Sequence, residues 1–258
     1  MTSRAFREAY AAHRAAEGRG RDGLAGLHAL PYLRHGPLAR QWSVRARTFD
    51  RFMRWLPPAR QRVLDLGAGN GWLCYRLAQR GHDTTAVDIR TDTVDGLGAA
   101  SGYAPVLPRM FGRAAAAFDT LPFRAAQFDV AVFNAALHYA ADLGRTFTEA
   151  RRVVRSGGAI VILDSPCYEH ARDGTAMVAE KRATGAQQFG SRAAELLRPS
   201  FIEYLTPARL AEAGAPLGLS WTHHRVRYPW WYAVRPWIAR WRGRRTPSRF
   251  DLWTAVTP

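Results

Sequence analysis

The stretch Arg62-Val63-Leu64-Asp65-Leu66-Gly67-Ala68-Gly69-Asn70-Gly71-Trp72 constrains this chain most. An apolar run reaches an acid and then three glycines at alternate positions. WLCYRLAQRG (72–81) follows, with Leu73, Tyr75 and Leu77 among its apolar positions and Gly81 as its stop, which predicts a helix. TTAVDIR (84–90) is a second apolar run and carries Asp88 near its end. A strand, a glycine-rich turn, a helix and another strand make a βαβ unit, which belongs in a parallel sheet. Glycines let the backbone bend sharply and come close to a ligand. The helix N-terminus beyond them favours a negative group. Asp88 lies 21 residues after Gly67, where an acid can accept both hydroxyls of a ribose. The unit therefore reads as a site for an adenosine-type cofactor.

The alternation continues along the chain. Residues 91–100 predict a helix, 113–118 a short third strand, and FDVAVFNAAL (128–137) a fourth strand buried on both faces. Residues 142–154 predict a helix closed by Ser156-Gly157-Gly158, and AIVILDS (159–165) a fifth strand. Residues 166–205 form a long excursion. Thr206 and Pro207 then fit the N-cap and first position of a helix, and 219–228 and 249–256 predict strands six and seven. Residues 1–60 read as mostly helical, with Pro57-Pro58 at the junction. A length of 258 residues, with 47% apolar and 22% charged residues, suits a folded globular chain and excludes a mostly disordered one. We expect one domain over 1–258: a helical cap (1–60), a cofactor-binding core (61–165), and substrate-side insertions with the final strands (166–258).

A dinucleotide fingerprint would need glycine at position 72, which is Trp72. The pattern acid-x-G-x-G-x-G instead resembles the first motif of class I S-adenosylmethionine-dependent methyltransferases. Asp119-Thr120-Leu121-Pro122-Phe123 ahead of Phe128-Asp129-Val130 is similar to the small-molecule, quinone-pathway branch. The resemblance covers about residues 60–165. It implies an α/β, Rossmann-like, doubly wound sheet of seven strands, mostly parallel with an antiparallel last strand and helices on both faces. It also implies S-adenosyl-L-methionine as cofactor. Gly67, Gly69 and Gly71 would line its methionine half and Asp65 would lie near its amino group. Asp88 would take the ribose, with Ile89 beside the adenine and Phe118 and Asp119 near the adenine edge. Asn134 would sit under the sulfonium. Relatives place an acid where this chain has Ala117. Arg45 is a candidate for the cofactor carboxylate.

Methyl transfer from a sulfonium is an in-line displacement, so alignment and exclusion of water dominate. A base is needed only where the acceptor must lose a proton. His138 and Tyr139, just past the fourth strand, are the candidates for base and acceptor positioning. Asp164 at the end of the fifth strand, and Tyr168 and His170 just beyond it, are candidate substrate contacts. His223 and His224 fall inside a strand and are not expected to be catalytic. Cys167 lacks the surroundings of a nucleophile, and no His/Cys/Asp cluster has metal-ligand spacing, so no metal is expected.

The net charge of +16 is uneven: residues 1–62 carry +9, residues 63–220 balance, and residues 221–258 carry +7. Basic flanks suit an anionic partner or are solvated surface. Six of the nine Trp fall within residues 221–253. Trp230 and Trp231 are candidate walls for an apolar or planar acceptor. The same stretch also fits a membrane-facing patch, an RNA-stacking surface or a small satellite core. No apolar run approaches ~20 residues. The first residues lack the apolar segment of a secretory leader, and two cysteines make no disulfide framework, so a cytoplasmic location is expected. The function expected is methylation of a small organic acceptor, anionic or apolar, at oxygen or nitrogen. The alternatives are an RNA methyltransferase and a non-catalytic cofactor-binding protein.

Overall fold

Val63, Leu64, Val87, Ala131, Val132, Ile160 and Val161 are wholly shielded from solvent, because both faces of the strands they occupy are covered. The computed structural model describes residues 4–21, 23–198 and 200–258. Its strands are β1 (Arg62–Leu66), β2 (Asp83–Asp88), β3 (Gly112–Ala115), β4 (Phe128–Asn134), β5 (Val154–Leu163), β6 (Trp221–His224) and β7 (Leu252–Val256). They form one sheet of seven in the order β3-β2-β1-β4-β5-β7-β6. β1 to β5 pair in parallel, and β7 runs against both of its neighbours. This is the Rossmann-like sheet that the sequence implies.

The helices are α1 (Arg4–Ala16), α2 (Gly23–Ala29), α3 (Ala39–Trp55), α4 (Trp72–Ala78), α5 (Leu143–Val153), α6 (Ala171–Phe189), α7 (Ala193–Leu197), α8 (Pro207–Gly214), α9 (Trp230–Ala233) and α10 (Arg235–Trp241). On one face, Trp42, Phe49 and Phe52 of α3 and Trp72, Leu73 and Leu77 of α4 pack on Val63, Val132 and Val161. On the other, Phe147, Ala150 and Val153 of α5 and Leu210 of α8 pack on Leu64, Phe133 and Ile160. α3 is thus part of the sheet's core as well as of the N-terminal segment. Thr206 caps α8 by accepting from the Arg209 N–H at 3.1 Å, with Pro207 at the first position, as the sequence predicts.

Several expectations are corrected. Residues 91–100 are not an α-helix: Asp92 Oδ1 accepts from the N–H groups of Val94 and Asp95, a local turn that competes with helix, and a 3₁₀ stretch follows over Leu97–Val106. Ser156-Gly157-Gly158 does not close α5, because β5 begins at the next residue. The three lie in a register shift of β5 against β4, where Phe128 faces Val154 but Val130 faces Ala159. The excursion after residue 165 holds the 19-residue α6. Its buried residues are Asp173, Gly174 and Gly185, so no apolar stripe marks it in the sequence. The fourth strand stops at Asn134, short of residue 137, because Ala135 turns to φ 54°. The last two strands are also shorter than expected, at Trp221–His224 and Leu252–Val256.

Candidate active site

The glycine turn leaves the end of β1 with Gly67, Gly69 and Gly71 at φ 78°, 54° and 75°. The N–H groups of Gly67 and Ala68 both donate to the Val87 carbonyl, at 2.8 and 2.9 Å. Asp88 fastens the turn from β2: its Oδ2 accepts from the Gly69 N–H and its Oδ1 from the Arg90 N–H, each at 2.8 Å. Burial pushes the Asp88 carboxyl up and these two backbone donors pull it down. A carboxylate has about four acceptor sites, so two remain for a diol. Phe118 stands against Gly67 and meets Phe133 edge-on at 5.6 Å. Replacing Asp88 with Ala removes the turn's fastener and the diol acceptor together. Cofactor affinity should fall roughly tenfold to a hundredfold by calorimetry, since hydrogen bonds to a charged group contribute about 1.5–3 kcal/mol each.

Polar atoms without partners gather at the carboxyl ends of adjacent strands. Asp65 is fully buried. Among the described residues its Oδ1 has no hydrogen-bond partner and its Oδ2 meets only the Cys74 thiol, at 3.9 Å. Burial, helped by the Asp88 charge, pushes the Asp65 carboxyl up to about 8. Asn134 Oδ1 at the end of β4 and Asp164 Oδ1 after β5 are likewise buried and unpaired. Asp164 sits at φ 51°, a left-handed conformation that costs an ordinary residue about 1–3 kcal/mol and is characteristic of functional sites. Burial lifts its carboxyl to about 6 against the opposing pull of Arg45. Arg45 and Arg19 both lie over the Trp42 ring, at 5.0 and 5.4 Å. Neither has an acid within ion-pairing distance among the described residues. The Arg19 Nε is buried and unpaired, and burial lowers this guanidinium to about 10.

α1 lies across this edge. The Tyr10 hydroxyl donates to that of Tyr139 at 3.0 Å, and Arg14 Nε donates to Asp95 at 3.0 Å. Asn70 of the glycine turn donates to the other Asp95 oxygen at 3.1 Å. The N-terminal helix is thereby tied to the turn.

Beside these groups opens a cavity of about 310 Å³, lined by His138, Tyr139 and Tyr168 together with Lys181, Glu203, Arg235 and Arg245. His138 Nδ1 is 3.5 Å from Ser165 Oγ. Burial, with Lys181 and Arg45 adding repulsion, lowers its imidazole to about 3. Lys181 pairs with Glu203 at 2.8 Å, and Arg245 with Glu180 at 2.8 Å while donating to the Tyr168 hydroxyl. A larger cavity of about 410 Å³, bordered by α5 and α8, holds none of the candidate residues.

The structure thus brings together Asp65, Gly67, Gly69, Gly71, Asp88, Phe118 and Asn134, with Ile89 half-buried at the end of β2. His138, Tyr139 and Tyr168 meet at the cavity. Asp119 is exposed and pairs with Arg145 at 3.3 Å. Asp164 stands towards Arg45 and α3, and His170 is exposed at the start of α6. Neither Trp230 nor Trp231 lines the cavity: Trp230 points to solvent and Trp231 lies under Arg40 at 5.5 Å. Burial raises the Cys167 thiol to about 12, which keeps it protonated. Sequence reading missed Tyr10, Arg14, Arg19, Lys181, Arg235 and Arg245. They come from segments with no motif, where an isolated cation is indistinguishable from a solvated one.

Residues 64–162 match the model of a methyltransferase domain. An uncharacterized methyltransferase of Mycobacterium tuberculosis is 38% identical over 105 residues, 41% of this chain and 40% of that protein. The malonyl-[acyl-carrier protein] O-methyltransferase of Erwinia pyrifoliae is 31% identical over 139 residues, 53% of this chain and 47% of that one. The aligned stretch is therefore less than half the length of either relative. Among solved structures, the Burkholderia thailandensis 1,6-didemethyltoxoflavin-N1-methyltransferase, with bound S-adenosylhomocysteine, superposes with a TM-score of 0.52 at 19% identity, over 83% of this chain and 78% of that one. The fold is that of solved methyltransferase structures. The match to a methyltransferase domain lies in residues 64–162, which hold most of β1, the glycine turn and β4.

Proposed function

We propose that this chain transfers the methyl group of S-adenosylmethionine to an oxygen or nitrogen of a small, anionic organic acceptor. The carrying observation is the cavity at His138, whose charged lining is Lys181, Arg235 and Arg245 against Glu203 alone. The name of the Erwinia relative, which places O-methylation on a malonyl group, agrees with an acidic acceptor. The unpaired Asp65 and Asn134 oxygens and the glycine turn fit the cofactor's cationic half and its close backbone approach. Arg45, half-buried with Asp164 facing it beyond ion-pairing distance, and Arg19, buried with no acid in ion-pairing range, fit its carboxylate, and Asp88 fits its ribose. When bound, the cofactor supplies a methyl group on positively charged sulfur.

What remains for the chain is to align the acceptor, exclude water and hold one proton. α1 closes the edge through Tyr10 and Arg14. The cations hold the acceptor's anionic group. His138 is neutral at physiological pH and receives the proton at an imidazole nitrogen. Burial is the larger cause of its low basicity, and a bound anion offsets only the smaller repulsion from Lys181 and Arg45.

The test is turnover of the purified chain with a small-metabolite extract, followed by mass spectrometry for products heavier by one methylene. His138→Ala should lower kcat by about 10²–10⁴ while leaving cofactor affinity intact. Arg235→Gln should raise KM for the acceptor more than it lowers kcat. Products drawn only from uncharged metabolites would overturn the anionic reading, and full turnover in His138→Ala would remove the base.

A further inference from the structure

Trp230, Val234, Trp237, Ile238 and Trp241 recur at spacings of four, three, one and three, which places them on one stripe of a helix. The backbone is helical across the whole run: the Val234 N–H donates to the Trp230 carbonyl and the Ile238 N–H to the Val234 carbonyl, each at 3.1 Å. An amphipathic helix of a folded protein normally turns such a stripe inward. Here it faces solvent: Trp230, Trp237 and Trp241 are 78%, 77% and 84% exposed, and Val234 and Ile238 are exposed with them. The other six tryptophans are buried or half-buried.

The segment that carries this stripe has charge of one sign in its sequence, with Glu180 of α6 pairing Arg245 from outside it. From Trp221 to Phe250 the sequence has eight Arg and no acid. Arg240, Arg242 and Arg244 are exposed and make no ion pair among the described residues. No helix among the described residues is long and apolar enough to cross a membrane.

We infer that α9 and α10 dock this chain onto an anionic lipid bilayer. The indoles and the Val234 and Ile238 side chains enter the boundary between headgroups and acyl chains. The arginines around them rest on headgroup phosphates. A second copy of the chain would bring eight more arginines against these, which like charges oppose. Val234 and Ile238 have no π-face on which to stack a base, yet their branched aliphatic groups gain from an acyl boundary. Arg235, on α10 between Val234 and Trp237, lines the cavity at His138 instead. The docked protein therefore holds that cavity beside the headgroup layer. Membrane docking does not depend on the methyl-transfer reading, and its test uses neither cofactor nor acceptor.

The experiment is co-sedimentation of the full chain with extruded vesicles. Binding is expected to phosphatidylglycerol vesicles and not to phosphatidylcholine vesicles, with blue-shifted tryptophan emission and weakening in salt. Changing Trp230, Trp237 and Trp241 together to Ala should abolish binding while circular dichroism and melting stay unchanged, since these side chains are exposed. Changing Arg240, Arg242 and Arg244 to Gln should weaken binding roughly a hundredfold, at about fivefold per arginine. Absence of binding to phosphatidylglycerol at low salt would overturn the inference, as would full binding by the tryptophan variant. So would self-association through this face without lipid, or a preference for single-stranded RNA that phosphatidylglycerol vesicles fail to displace.

Discussion

At pH 9 the cofactor-free Asp65→Asn variant should melt at a higher temperature than the unaltered protein, and the same variant should bind S-adenosylmethionine roughly tenfold to a hundredfold more weakly. Both halves follow from one buried carboxyl. Its rise from 3.8 to about 8 means that the folded state keeps a proton which the unfolded chain has already lost. Between about pH 4 and 8 the folded state thus binds more protons, so stability falls as pH rises through that window. Above it, the whole penalty on the charged form is present, at most about 6 kcal/mol. Asn has the shape of the protonated acid and no charge to desolvate. Recovering a few kcal/mol in a domain of this size should raise the melting temperature by about 5–10 °C. At pH 5 the gap should shrink to about 1–2 kcal/mol, because Asp65 is then neutral in the folded protein and only the cost of its proton uptake from the unfolded chain remains. The cost falls on binding: the cofactor's ammonium group loses its charged partner, worth about 1.5–3 kcal/mol. Binding to the unaltered protein should also expel the Asp65 proton and tighten between pH 6 and 9, a slope absent from the variant. Thermal melts at both pH values, with calorimetry in two buffers, decide the matter. Equal melting at pH 9, or unaltered affinity, would remove Asp65 from the site.

The part of the site made by the glycine turn and Asp88 was legible because it is local. An acid, alternate glycines and a second strand leave a βαβ backbone few options, and the 3.8-to-8 displacement of Asp65 only sharpens what its position suggests. The acceptor side was not legible in the same way. Lys181 comes from α6, which buries two glycines and an acid and so shows no helical periodicity. Arg235 belongs to a stripe-bearing helix whose apolar residues turn outward, so the natural expectation of Trp230 and Trp231 as pocket walls places the aromatic face on the wrong side. Arg19 becomes meaningful only when α3 sets Trp42 beneath it. In the 91–100 stretch the local chemistry of Asp92 outweighs average helix propensity. Local backbone geometry is written in short motifs, whereas the meeting of distant cations with a catalytic edge is decided by tertiary packing.

Gly67→Ala should cost at least a hundredfold in cofactor affinity, about 2–3 kcal/mol, while its neighbour in kind, Gly81→Ala, should leave affinity unchanged. Both glycines are left-handed, at φ 78° and 83°, so both substitutions impose the same backbone strain of about 1–2 kcal/mol. They differ in what the new methyl group meets. At Gly81 nothing lies within 4 Å. At Gly67 the Cβ collides with that of Ala136 and comes within 3.3 Å of the Phe118 ring. Ala136 cannot yield alone, since it is buried and follows Ala135, itself held at φ 54° between Asn134 and the His138 turn. Relief therefore moves either the glycine turn or the loop that carries Asn134 and His138. A side chain in this position disturbs both sides of the transfer at once. Melting should fall by about 2–4 °C per kcal/mol in each variant, and further in Gly67→Ala, where the collision adds to the strain; affinity is the readout that bears on the ligand. Equal cofactor binding by the two variants would show that the turn does not cradle the ligand.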